Sequence, residues 1–220
     1  LGENFGWGAV MLSYSSRPAD PALRPNWRAE WLERLQAEPW LAPRWADLQE
    51  RSDYWKHGSV GEDYARMTVP VLSWGGWADN YMNTVAHLVE NVPAPVKGIV
   101  GPWVHQYPHT AVPGPAIGFL QEAIRWWDRW LKGIENGAEH DPAYRVYMLD
   151  SDAPDASAKH RAGHWVAEVV WPSPRVSRKV MTLGTDMAGV LPARVKTPQH
   201  LGLQAGEFFP MGLNAEMPGD

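Results

Sequence analysis

The chain has 220 residues, 45% hydrophobic and 20% charged, which is typical of a folded globular protein and excludes a disordered or collagen-like chain despite 20 Gly and 20 Pro. Its 20 basic and 25 acidic side chains give a formal net charge of -5, which argues against nucleic acid or an anionic membrane as a partner. Without cysteine there is no disulfide framework, thiolate nucleophile or Cys-ligated metal. Because no apolar run approaches the roughly 20 residues of a membrane span and no signal pattern opens the chain, we expect a soluble cytoplasmic protein.

Residues 1–68 carry tryptophan and leucine at helical spacing, as at positions 27, 31, 32 and 35, and prolines separate these clusters. The pattern predicts short helices joined by proline turns. Pro43 suits the first turn of the second helix, and Gly58 suits its end. Residues 7–14 fit a helix or a strand equally well, since periodicity does not decide between them.

A strand–helix–strand unit follows. Residues 69–74 (VPVLSW) form an apolar run that stops at Gly75 and Gly76, residues 83–91 fit an amphipathic helix, and residues 96–100 (VKGIV) form a second run. Such units are almost always right-handed crossovers between parallel strands. The sequence therefore predicts an α/β fold.

The clearest helix pattern covers residues 117–132, with Gly133 as its stop. One stripe of this helix is apolar and is expected to cover the sheet: Ile117, Leu120, Ile124, Trp127 and Leu131. Trp126 and Trp130 widen the stripe, and an aromatic core contact is favoured over a ligand platform.

Beyond residue 141 the pattern is that of β-structure, with short apolar runs at 144–149, 164–171 and 178–183 and a predicted linker or long loop at 151–158. These runs are expected to open a separate sandwich. Even spacing places Trp165 and Trp171 on one face of a strand. A core role for them is favoured, but a lectin-like carbohydrate-binding β-module stays open as the alternative function.

Asp79 and His105 each follow one strand of the predicted parallel pair. Both side chains should therefore emerge at the carboxyl edge of the sheet, where open α/β folds bind their ligands. A carboxylate there can fix the tautomer of the imidazole and stabilise its protonated form, leaving Nε2 as a general base. The order of acid before histidine is that of the α/β-hydrolase triad Ser, Asp/Glu, His.

The third member of such a triad has no candidate in the expected frame, because no serine lies in a G-x-S-x-G elbow. Ser13 and Ser15 belong to the nearest serine cluster, but their neighbours are bulky, and a turn with serine hydrogen bonds is favoured. His109 invites a metal site with His105 and Asp79, yet Pro108 interrupts the helix that would align the two histidines. We therefore expect neither a metal nor a cofactor.

Two motifs resemble those of the CocE/NonD serine hydrolases, which include X-Pro dipeptidyl-peptidases, cocaine-esterase-like enzymes and α-amino-acid ester hydrolases. Residues 69–79 (VPVLSWGGWAD) resemble the acid motif and residues 101–105 (GPWVH) the histidine motif. Residues 115–137 also resemble the family's element after the histidine.

The resemblance implies a three-part architecture. Residues 1–68 would end a helical cap, residues 69–142 would form the C-terminal part of an α/β-hydrolase core, and residues 143–220 would begin a jelly-roll β-domain. The family's serine elbow and oxyanion tyrosine would lie upstream of Leu1, so we expect a fragment that is inactive alone.

For function, the resemblance implies hydrolysis of an ester or amide acyl group of a small molecule or peptide, through an acyl-enzyme. Asp79 and His105 would be catalytic, and Tyr81, just past the acid, would contact the substrate. The choice between esterase and peptidase stays open, as does homo-oligomerisation of the full-length protein.

Overall fold

The computed structural model describes residues 2–152, 155 and 157–180. The chain divides into two compact units, Leu1–Glu62 and Asp63–Asp220. Across the described ranges, no helix has the length and apolar character needed to cross a membrane.

The first unit consists of short helices: α1 (Gly2–Ser15), α2 (Trp27–Ala37), α3 (Leu41–Asp47) and α4 (Asp53–His57), followed by a 3-10 turn at Val60–Glu62. The helical prediction is confirmed, and residues 7–14 prove to be helical. The helix predicted to run from Pro43 to Gly58 is instead two helices. Their junction is fixed by Trp55 Nε1, which donates to the Leu48 carbonyl at 2.8 Å.

The second unit contains the sheet. After a 3-10 turn at Tyr64–Arg66 come β1 (Val71–Gly76), α5 (Met82–Asn91), β2 (Val96–Gly101), α6 (Phe119–Lys132), a 3-10 turn at Ala138–His140, β3 (Tyr144–Leu149) and β4 (Gly163–Glu168). The strand order is β1-β2-β3-β4. β1 and β3 run parallel to β2, and β4 runs antiparallel to β3. The predicted α/β class and parallel strand–helix–strand unit are confirmed.

Each face of the sheet carries its own apolar cluster, because successive strand residues point to opposite faces. On one face α5 packs against β1 and β2, and its Val85 and Val89 form a cluster with Val100, Tyr144 and Val146. On the other, Ile99 and Trp103 pack with Ala111, and Trp74 and Ile117 border them. Burial on both faces is what favours an apolar strand such as β2.

The apolar stripe of α6 was predicted to cover the sheet, but most of it is exposed. Trp126 is buried, whereas four stripe residues are largely exposed: Leu120 (53%), Ile124 (58%), Trp127 (53%) and Leu131 (74%). The helix is held to the sheet by a bidentate ion pair between Glu122 and Arg145, at 2.8 and 2.9 Å. Periodicity identified the apolar face correctly but could not say which neighbour would cover it.

The strands after residue 141 also differ from their prediction. β3 pairs with β2, in the register Gly98 with Tyr144, and β4 pairs with β3. They extend the α/β sheet rather than opening a separate sandwich, because apolar patterning defines a strand without defining its partner. Residues 178–180 form no strand, and the rest of the predicted jelly roll, at 181–220, lies outside the described residues.

Candidate active site

Asp79 and His105 meet at the carboxyl edge of the parallel strands. Asp79 lies in the turn after β1, His105 lies in the loop after β2, and Asp79 Oδ2 is 2.8 Å from His105 Nδ1. Asp79 is buried, while the imidazole is about half exposed. The structure thus brings together the two residues that the sequence selected, with the carboxylate inside and the imidazole facing the solvent side.

The turn after β1 fixes the carboxylate of Asp79. The Asp79 amide donates to the Gly76 carbonyl at 3.1 Å, and Asp79 Oδ1 accepts the Tyr81 amide at 2.8 Å. Oδ2 is therefore directed to the imidazole. A carboxylate is only an acceptor, so the proton of a neutral His105 lies on Nδ1, and Nε2 keeps its lone pair.

Main-chain hydrogen bonds join the acid loop to the histidine loop. The Trp77 amide donates to the Gly101 carbonyl at 2.9 Å, and the Ala78 amide donates to the Trp103 carbonyl at 3.1 Å. Trp103 itself is buried, and its Nε1 donates to the Pro115 carbonyl at 2.8 Å. These bonds set the separation of Asp79 and His105 through the backbone.

Sequence reasoning did not single out Trp103 or Trp77 as supports of the site. Trp77 Nε1 donates to the Tyr147 carbonyl at 2.7 Å, which ties the acid loop to β3. The available signal was a glycine shortly before each tryptophan, Gly76 directly before Trp77 and Gly101 two residues before Trp103, since glycine inside a strand marks a close approach of another chain segment.

Tyr81 lies beside the imidazole. It is the residue that precedes α5, and its ring meets the His105 ring edge-on with centroids 5.6 Å apart. The ring of Tyr81 is exposed. It can therefore contact both His105 and a molecule bound next to it.

A cleft of about 870 Å³ opens beside the two residues. Its lining joins the histidine loop to β1 and to the start of α6, and includes Leu72, Trp74, Asp79, His105, Tyr107 and Phe119. The cleft thus combines apolar and aromatic side chains with the carboxylate–imidazole pair and with the polar side chains of Ser73, Gln106 and Thr110.

The other sequence candidates do not join this pair. Ser13 and Ser15 lie at the end of α1, in helical backbone rather than in the predicted turn or in a strand-to-helix elbow. The His109 ring stacks on Phe119, with centroids 5.5 Å apart and planes 8° apart. Over the part of the chain that the structure describes, no group of three or more metal-ligating side chains is close enough to hold a metal ion.

The two tryptophans of the alternative binding module occupy different clusters. Trp165 packs against Trp103 and Tyr147, with centroids 6.0 and 5.3 Å away, whereas Trp171 packs edge-on against Tyr144 at 4.9 Å. The prediction of one shared face is wrong, because β4 ends at Glu168 and the strand alternation stops before Trp171. Both rings contact buried aromatic residues, although Trp165 itself is 39% exposed.

Comparison with known proteins finds similarity over part of the chain. Residues 2–107 match the family model described as X-Pro dipeptidyl-peptidase (S15 family). Two crystal structures of a CocE/NonD family hydrolase from Staphylococcus aureus are also similar, at 15% and 14% identity with TM-scores of 0.44 and 0.41. Each match covers 67% of this chain but only 25% and 24% of the hydrolase, so the chain spans about a quarter of the structures it matches.

A search of curated proteins finds no match. The family match itself contains the whole of both motifs, from the acid strand to the histidine loop. Residues 2–107 are therefore similar to the X-Pro dipeptidyl-peptidase (S15) family.

Proposed function

We propose that this chain supplies the acid and base members of a serine hydrolase that cleaves an ester or amide acyl group. The observation that carries the proposal is the 2.8 Å contact between Asp79 Oδ2 and His105 Nδ1 at the carboxyl ends of the parallel strands β1 and β2. The family match supports the hydrolase class. The nucleophile is a serine in the part of the enzyme that precedes this chain.

In the first step His105 Nε2 accepts the proton of the serine hydroxyl as its oxygen bonds to the acyl carbon, and His105 then donates that proton to the leaving group. In the second step His105 takes a proton from water, which attacks the acyl-enzyme, and returns it to the serine oxygen. Asp79 stays ionised, holds the ring orientation and stabilises the imidazolium. Because the chain lacks the serine, it has no turnover alone.

Tyr81 is proposed as a substrate contact. Its exposed ring lies against the imidazole, so an acyl group that reaches Nε2 must pass beside it. The substrate class is an acylated small molecule or a peptide, and the cleft beside the pair would accept its acyl part.

The proposed arrangement of the parent enzyme has three parts. Residues 1–68 end a helical cap, residues 69–142 together with β3 and β4 complete the hydrolase core, and the residues after β4 begin a jelly-roll domain. In this arrangement β3 and β4 belong to the core sheet as well, which makes them the connection between the core and the last domain.

The test uses a p-nitrophenyl acyl ester and a fluorophosphonate probe on two polypeptides. One is the 220-residue chain, and the other extends upstream until a serine elbow is included. We expect hydrolysis and labelling only in the longer polypeptide. Labelling of the shorter chain would place the nucleophile within it, and inert protein in both would favour the binding module.

A further inference from the structure

We propose that the antiparallel strands β3 and β4, here called the β3–β4 hairpin, position the catalytic pair, and that Trp77 is the positioning residue through which they hold Asp79. The hairpin contacts the acid loop through Trp77 and the histidine loop through Trp165. The inference rests on the proposed function, because a fixed carboxylate–imidazole pair matters to the reaction only if His105 acts as the base. It gives a role in the reaction to two strands outside the strand–helix–strand unit that carries the pair.

The first contact is a hydrogen bond from the acid loop to β3. The ladder between β2 and β3 ends at the pair of Val100 and Val146. The next carbonyl of β3, that of Tyr147, accepts the Trp77 indole hydrogen, with the nitrogen and oxygen 2.7 Å apart. Trp77 lies two residues before Asp79, in the turn after β1. The hydrogen bond therefore limits how far this turn can move from the sheet.

The second contact joins the histidine loop to β4. The Trp165 ring packs against the rings of Tyr147 and Trp103, with centroids 5.3 and 6.0 Å away. Trp165 is the cross-strand partner of Tyr147, and Trp103 lies two residues before His105. Tilted and edge-on aromatic pairs at these distances attract each other. The hairpin therefore packs against the loop that carries the imidazole.

A third contact joins the later part of the histidine loop to the segment that leads into β4. The Gly114 amide donates to the Lys159 carbonyl at 2.9 Å, and the Arg161 amide donates to the Gly114 carbonyl at 3.0 Å. The Tyr147 hydroxyl donates to the Arg161 carbonyl at 3.0 Å. The segment is thus bound both to the histidine loop and to β3.

These contacts form a closed circuit with the bond that joins the two catalytic loops. The Ala78 amide donates to the Trp103 carbonyl at 3.1 Å, and the neighbouring Trp77 returns to β3 through its indole. A displacement of either loop must therefore break a hydrogen bond or separate a pair of rings. Among the side chains of the circuit, Trp77 is the nearest in sequence to Asp79.

The position of the acid loop decides where the imidazole carries its proton. Asp79 Oδ2 is 2.8 Å from His105 Nδ1, and this bond keeps the proton of the neutral ring on Nδ1. An imidazole released from the carboxylate carries its proton on either nitrogen, and the form protonated on Nε2 is no base. In the described part of the chain, Gly76 and Asp79 line the cleft beside the pair, but Trp77 does not. Trp77 thus acts through Asp79 rather than on the substrate.

Trp77→Phe tests this role, because it keeps an aromatic ring and removes the indole N–H. Trp171→Phe is the matched control, since Trp171 packs edge-on against Tyr144, in the cluster on the α5 face of the sheet. The measurement is nitrogen NMR of the His105 ring in the 220-residue chain, at a pH at which the imidazole is neutral. We expect the proton on Nδ1 in the unsubstituted chain and in Trp171→Phe, and a mixture of both tautomers in Trp77→Phe.

A single tautomer protonated on Nδ1 in Trp77→Phe would overturn the proposal. A mixture in both variants would overturn it too, because the tautomer would then follow a general loosening of the fold rather than the indole hydrogen bond. A mixture already in the unsubstituted chain would show that the carboxylate does not hold the imidazole, and the hairpin would have nothing to position.

Trp165→Leu tests the circuit from the side of the hairpin, and it decides the question if Trp77→Phe does not fold. It leaves the Trp77 indole and the Tyr147 carbonyl in place and removes the ring that packs against Trp103. Trp165 is 39% exposed, so the substitution leaves only part of its volume empty inside the protein. We expect a mixture of His105 tautomers here as well. A single tautomer would overturn the proposal, because β4 would then have no effect on the histidine loop.

Steady-state kinetics of the longer polypeptide separate positioning from substrate binding. Trp77→Phe should lower kcat for the p-nitrophenyl ester by roughly 10- to 100-fold and leave KM within about 2-fold, whereas Trp171→Phe should change neither. A higher KM at constant kcat would make Trp77 a substrate contact and would overturn the proposal. If the unsubstituted longer polypeptide is inert while Trp77→Phe still shifts the tautomer, the proposed function is refuted and the positioning role stands.

Discussion

Gly76 lies so close to the main chain of Trp103 that a Cβ atom at position 76 would be 1.9 Å from the Trp103 carbonyl oxygen. That oxygen also accepts the Ala78 amide, one of the bonds that join the acid loop to the histidine loop. The obstruction is backbone rather than a flexible side chain. Any side chain at position 76 must therefore displace one loop relative to the other.

Gly76→Ala should lower the free energy of unfolding by about 2–4 kcal/mol, and it should reduce ester hydrolysis by the longer polypeptide because the Asp79–His105 distance changes. Gly6→Ala is the control, since nothing lies within 4 Å of a Cβ there and alanine is the better residue inside α1. Urea unfolding of both variants provides the measurement. Equal stability of the two would show that the loops can separate freely.

Asp79→Asn should lower kcat of the longer polypeptide by roughly 10³–10⁴-fold. The amide oxygen can still accept the Tyr81 amide in place of Oδ1. Its NH₂ group, however, would face His105 Nδ1 as a donor, which forces the imidazole proton onto Nε2 and removes the base. The fold should stay intact.

The control for Asp79→Asn is Asp53→Asn, because Asp53 is fully exposed at the start of α4. Steady-state hydrolysis of the p-nitrophenyl ester measures both variants. A kcat for Asp79→Asn within a few-fold of the control would remove Asp79 from the mechanism.

His105→Ala should abolish hydrolysis by the longer polypeptide to a similar extent, since loss of the base leaves the serine unactivated. His87→Ala is its matched control, because His87 is exposed on α5. If His105→Ala keeps full kcat, the role assigned to His105 is wrong, whatever the behaviour of the aspartate variant.

The part of the fold that the sequence predicted is local. The run of apolar residues that ends at Gly75 and Gly76, the helix after it and the run that ends at Gly101 form one parallel strand–helix–strand unit. The shared strand direction then brings Asp79 and His105 to the same edge. No long-range information was needed for that convergence.

The sequence could not predict which element packs against each apolar face or which strands pair with each other. Patterning located the apolar face of α6 and the strands β3 and β4, yet the neighbours of these elements depend on contacts between residues distant in the chain. Trp103 shows the same limit within the site: its importance comes from the carbonyl that accepts the Ala78 amide, and no side-chain pattern reports on a carbonyl.

The ion pair between Glu122 and Arg145 should stabilise the second unit measurably. Both carboxylate oxygens accept guanidinium hydrogens, at 2.8 and 2.9 Å, and both side chains are mostly buried. Bidentate charge-assisted pairs of this kind are stronger than exposed ones. Glu122→Gln should therefore lower the free energy of unfolding by roughly 1–2 kcal/mol.

Asp128→Asn is the comparison for Glu122→Gln, because Asp128 pairs with the exposed Lys132 one helical turn away. Exposed pairs of that kind contribute at most about 0.5 kcal/mol. Urea unfolding at low and high salt separates the two variants, since screening weakens the exposed pair more. An equal loss of unfolding free energy in both variants would mean that burial does not strengthen the ion pair between Glu122 and Arg145.

Tyr144 should make stability sensitive to alkaline pH. It is buried beneath Trp171, and burial raises the pKa of Tyr144 to about 12. The phenol of an unfolded chain has a pKa of about 10, so the unfolded state loses the proton first as pH rises. The contribution of the neutral phenol to the free energy of unfolding is fully present below about pH 10. It is lost between about pH 10 and pH 12, and the loss reaches about 1.4 kcal/mol at roughly pH 11.

Tyr144→Phe has no proton to lose, so its free energy of unfolding should fall less than that of the unsubstituted chain between about pH 9 and pH 11. Tyr107→Phe removes an exposed phenol and should follow the unsubstituted chain. Urea midpoints at the two pH values test this comparison. If the Tyr144→Phe and Tyr107→Phe variants lose the same free energy of unfolding between the two pH values, burial does not raise the pKa of Tyr144 in the folded chain.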